Sequence, residues 1–71
     1  MDATSAKASY QNIFAQLLAL QGKNARVGSR SKGIVSEGKI VYVMFDSFLL
    51  EVNGQRSVIP FEDIAFLEPL P

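Results

Sequence analysis

The chain has 71 residues, 48% of them hydrophobic, with seven basic and seven acidic side chains and no net charge. It contains neither cysteine nor histidine, which excludes disulfides, thiolate or imidazole metal sites, and catalysis by a Cys or His nucleophile–base pair. A domain this short hides only about 60–65% of its unfolded surface, so self-association is the expected support once such staples are ruled out.

Zero net charge means that attraction to nucleic acid or to an anionic membrane has to come from a local patch. No apolar run approaches the ~18–20 residues of a membrane span. The opening residues, MDATSAKASY, have neither the basic nor the apolar region of a secretory signal. A cytoplasmic protein with no membrane contact is expected. The carboxylates do not cluster at ligand spacing, and no glycine-rich loop follows a strand. No metal, no cofactor and no enzymatic activity are expected.

Residues 1–8 are small and polar and are expected to be a flexible N-terminus, followed by one domain over 9–71. From Ser9 to Gln21, Tyr10, Ile13, Phe14, Leu17, Leu18 and Gln21 recur at spacings of three and four, which predicts an amphipathic helix. Ser9 suits its N-cap and Gly22 its left-handed C-terminal position. Lys23–Arg30 alternates weakly and predicts a first strand, with Ser31-Lys32-Gly33 as the turn after it. A second strand is expected from Ile34 to Phe45, bent or closely approached at Gly38. Its segment from Ile40 is apolar on both sides and is expected to be covered on both faces. Phe48–Val52 and Ser57–Phe61 flank Asn53-Gly54, the strongest short hairpin signal. Pro60 marks an edge or a strand end. Glu62-Asp63 suits a short helical turn, and Ile64–Leu67 a brief fifth strand.

A short helix followed by five bent antiparallel strands resembles the Sm-like fold, and its bacterial Hfq branch in particular. Gln11-Asn12-Ile13-Phe14 resembles the helix-opening Gln-Asp-Pro-Phe of Hfq. Gly33-Ile34 with Gly38-Lys39-Ile40, and Phe45-Asp46-Ser47-Phe48, match its second strand and the entry to its third. Ile59 and Ile64 fall where the second Sm motif places apolar residues. The resemblance covers nearly the whole chain. It implies a mainly β, strongly bent five-stranded small barrel, a homo-oligomeric ring (a hexamer in that family) and binding of single-stranded RNA in riboregulation. The chain also departs from the pattern. Two more residues separate Gly38 from Asp46, and the family's uridine-binding Tyr-Lys-His falls on Pro60-Phe61-Glu62. Its helix arginines fall on Ala19, Leu20 and Gly22, and its adenine-stacking aromatic falls near Gly28.

The candidate RNA-binding residues are therefore Gln11, Phe61, Arg26, Arg30, Lys32 and Tyr42. Gln11 and Phe61 are what the resemblance leaves of a uridine pocket, since an amide can read a uracil edge. Arg26, Arg30 and Lys32 are the one concentration of positive charge and could meet phosphates, or form a solvated strand face. Tyr42 could stack a base. Phe48 and Phe66 are expected in the core or an interface, and Asp46 as a turn cap. Glu62 and Asp63 are expected as first-turn acids that do not converge. The alternative function is a protein-interaction scaffold on the same barrel, without RNA.

Overall fold

The computed structural model describes the backbone over residues 3–71 and the side chains over 10–71. Helix α1 (Ala3–Leu20) is followed by β1 (Asn24–Ser29), β2 (Val35–Val43), β3 (Ser47–Val52), β4 (Gln55–Pro60), a 3-10 turn (Phe61–Asp63) and β5 (Ile64–Pro69). The molecule is mainly β, one helix and then five antiparallel strands in a single sheet, in the order β4-β3-β2-β1-β5. That sheet is not closed. Both β4 and β5 are edge strands with one side unpaired.

The helix is longer than its apolar periodicity predicts. It starts at Ala3, so Ser9 lies inside it rather than at its cap. Ala3, Ala6 and Ala8 supply the strongest helix propensity to those first turns. The rest of the expected flexible segment, Met1 and Asp2, lies outside the described residues. Leu17 is fully buried, while Ile13, Phe14 and Leu20 are half-buried against the core and Leu18 turns outward. Gly22 takes a positive φ of 85° and ends the helix as expected. Its N–H bonds to the Ile40 carbonyl at 2.6 Å, and the Ile40 N–H returns to Lys23 at 3.0 Å. Gln21 adds a third stitch, its Oε1 accepting from the Val43 amide at 3.0 Å.

Burial alternates along the strands and defines two faces. Ala25, Val27, Ile40, Val43, Phe48 and Leu50 point inward and form the core with Leu17, Phe61 and Ile64. Asn53 and Gly54 both take positive φ, and the β3–β4 hairpin closes on them in register. Gly38 meets the expectation of close approach, because a Cβ there would run into the Glu51 carbonyl. The second strand ends at Val43, short of Phe45, and its last residues are not covered on both faces. Ile40 faces Leu50 and Tyr42 faces Leu49, so Val41 is an extra residue, a bulge, between them. The bulge restores alternation and puts Tyr42 outward, 56% exposed, with Phe45 exposed in the turn beyond. No helix among the described residues is long and apolar enough to cross a membrane.

Candidate nucleic-acid interface

The outward face of the sheet is built from cross-strand rows. Glu37, Arg26 and Glu68 are direct neighbours across β2, β1 and β5. Lys39, Glu51 and Arg56 are neighbours across β2, β3 and β4. Charge alternates in sign within each row. Arg26 Nη2 lies 2.8 Å from Glu37 and Nη1 3.5 Å from Glu68, and Arg56 Nε lies 3.0 Å from Glu51. Exposed pairs of this kind contribute about 0–1 kcal/mol each to stability. Their larger effect is to cancel the positive field a phosphate would seek. Outside the charged rows the same face is apolar, with Tyr42, Leu49 and Val58 across β2, β3 and β4.

Arg30 and Lys32 are placed differently. β1 slips register between Gly28 and Ser29, and the chain then turns beside the 3-10 turn. The Arg30 amide donates to the Asp63 carbonyl at 2.8 Å, and Arg30 Nε to the Ile64 carbonyl at 3.0 Å. The guanidinium is thus anchored by one nitrogen, leaving two for a ligand. Ser29 Oγ and the Ser31 amide donate to the two Asp63 carboxylate oxygens at 2.7 and 2.8 Å. These bonds, the Ser29 hydroxyl first, hold the Asp63 carboxyl below the usual carboxylate range, with the Lys32 charge acting in the same direction. Arg30 and Lys32 share a recess of about 610 Å³ with Val58, Pro60, Glu62 and Asp63. This recess lies beside the open end of β4.

The six candidate residues do not form one pocket. Phe61 is 1% exposed and packs its ring edge-on to Tyr10, with centroids 6.0 Å apart, so its face is not open to a base. That contact brings the helix turn of Gln11, itself exposed, to the same end of the molecule as the 3-10 turn. Arg26 is held between two glutamates. Tyr42 is exposed on the outer face. Phe48 is core, and Phe66 lies across Gly28, where a Cβ would meet its ring. The Ser29–Ser31–Asp63 clamp was not legible from the sequence, where Asp63 reads as a first-turn acid. Its signal is a Ser-x-Ser turn, but the partner lies 34 residues away. Among the described residues no group of His, Cys, Asp or Glu is placed to hold a metal ion.

Compared with known proteins, the chain matches no family model, no curated protein and no solved structure.

Proposed function

We propose that the chain is the subunit of an Sm-like homo-oligomeric ring, closed by joining β4 of one copy to β5 of the next, that binds single-stranded RNA in riboregulation. The two unpaired edges favour the ring, because closure removes exposed strand edges that otherwise invite aggregation. The observation that carries RNA binding is the Arg30–Lys32 recess. These two cations stand outside the glutamate pairs that occupy Arg26 and Arg56. A ring repeats Arg30 and Lys32 beside every β4 seam, spacing phosphate contacts along a strand, with Gln11 available to bases.

Electrophoretic titration with oligouridine and oligoadenine at two salt concentrations tests this reading. Binding weakens as salt rises, and Arg30→Ala with Lys32→Ala lowers the salt slope by about 1.4, two single-strand phosphate contacts. No binding at low salt overturns RNA recognition. A second reading, a protein-interaction scaffold, draws on the neutralised charge rows and the buried Phe61. An intact oligomer without RNA affinity is the result that favours it.

A further inference from the structure

Hydrogen-bond parity determines which side chains each open edge carries. In an antiparallel ladder, residues alternate between facing their partner strand and facing away. The Asn53-Gly54 turn starts the β3–β4 ladder, and the Phe61 amide bonds to the Asp46 carbonyl at 2.9 Å at its far end. Between them Gln55, Ser57 and Ile59 face β3, leaving the main-chain groups of Arg56, Val58 and Pro60 at the open edge. Val58 lies opposite Leu49, so its side chain is on the outer face, 59% exposed. On β5 the Leu70 amide bonds to the Asn24 carbonyl at 3.1 Å. Glu68 and Phe66 therefore face β1, and Leu67 and Pro69 face the open edge. Leu67 lies opposite the buried Val27, so its side chain is on the inner face, beneath the helix.

Two residues that bond across an antiparallel pair carry their side chains on the same face. Joining β4 to β5 antiparallel therefore sets the outer face of one copy beside the inner, helix-covered face of the next. Each side has an apolar surface at that place. One copy brings the row Tyr42, Leu49 and Val58, and the other a recess of about 360 Å³ lined by Gln16, Ala19, Leu20, Leu67 and Pro69. Parallel joining would instead set outer face beside outer face. We propose that the Tyr42–Leu49–Val58 row docks into the α1–β5 recess of a second copy, with Val58 opposite Leu67 of the partner subunit. Pro60 and Pro69 fit this arrangement. Both occupy open-edge positions, at opposite ends of the antiparallel ladder, so each removes a terminal donor and neither removes a central one.

This inference rests on the ring reading and goes further, by fixing the face and the occupant. The chain has no cysteine, so an engineered pair reports cleanly. Hydrogen-bonded antiparallel neighbours have Cα atoms about 5.5 Å apart, within disulfide reach. Oxidised Val58→Cys/Leu67→Cys protein gives a reductant-sensitive ladder of covalent oligomers, and Val58→Cys/Phe66→Cys protein does not. Ala19→Arg, on the exposed side of α1, leaves circular dichroism unchanged and reduces the particle to single subunits. An oligomer in which only the Phe66 pair cross-links, or one whose mass Ala19→Arg leaves unchanged, overturns the docking while the ring stands. A wild-type chain that sediments as a monomer overturns both.

Discussion

Gly38 sits on the inward side of β2 opposite Ala25, where β3 crosses so closely that a Cβ would strike the Glu51 carbonyl and lie 2.9 Å from Val52 Cγ2. The obstacle is largely backbone, which cannot rotate aside. Gly38→Ala is expected to cost about 1–3 kcal/mol by overpacking, measured as a lower urea midpoint at unchanged m-value. Gly28 is a milder case, because what a Cβ would meet is the Phe66 ring. Gly38 was legible from the sequence, since a lone glycine inside a strand pattern has few other reasons to be there. Asp63 was not, because its bonds reach back to a turn far away in the chain. Those bonds favour the ionised carboxylate, so the folded pKa lies below the unfolded value of about 3.9. The contribution is present above that unfolded value and is lost as pH falls through the folded one. Asp63→Asn therefore lowers Tm at pH 7, and the difference from wild type shrinks below about pH 4. A constant difference from pH 7 to pH 3 would show that ionisation has no part in the clamp.

At the scale of elements, α1 depends on the sheet and the sheet depends on its turns. Among the described side chains of α1, Leu17 is the one that is fully buried, and Leu17→Ala is expected to cost about 2–5 kcal/mol. The same variant should raise hydrogen exchange across α1 before it does so in the β3–β4 hairpin. Equal protection loss in both would mean that helix and hairpin open as one unit. Element order and most strand centres were readable because glycines and Asn-Gly punctuate them. Two boundaries were missed for physical reasons. Propensity alone carries the helix through its alanine-rich start, where no apolar stripe marks it. The Val41 bulge lies in a run apolar on both sides, so no alternation shows where one residue is skipped.

For the whole molecule, composition gives a net charge of zero but not its arrangement. The cancellation is local, since glutamates stand directly across from Arg26 and Arg56, and that depends on a cross-strand register invisible to spacing along the chain. Arg30 and Lys32 lie outside those pairs, in the recess beside the open end of β4 that Glu62 and Asp63 also line. The register also gives the two open edges side chains on opposite faces, so copies joined antiparallel cover apolar surface that each leaves exposed alone. Assembly is therefore the premise on which the proposed RNA binding, docking and edge protection all rest. Sedimentation equilibrium of the purified chain over a wide concentration range measures it. A single closed species with an integer multiple of the 7.8 kDa subunit mass is predicted, unchanged on dilution, and a stable 7.8 kDa monomer would contradict it.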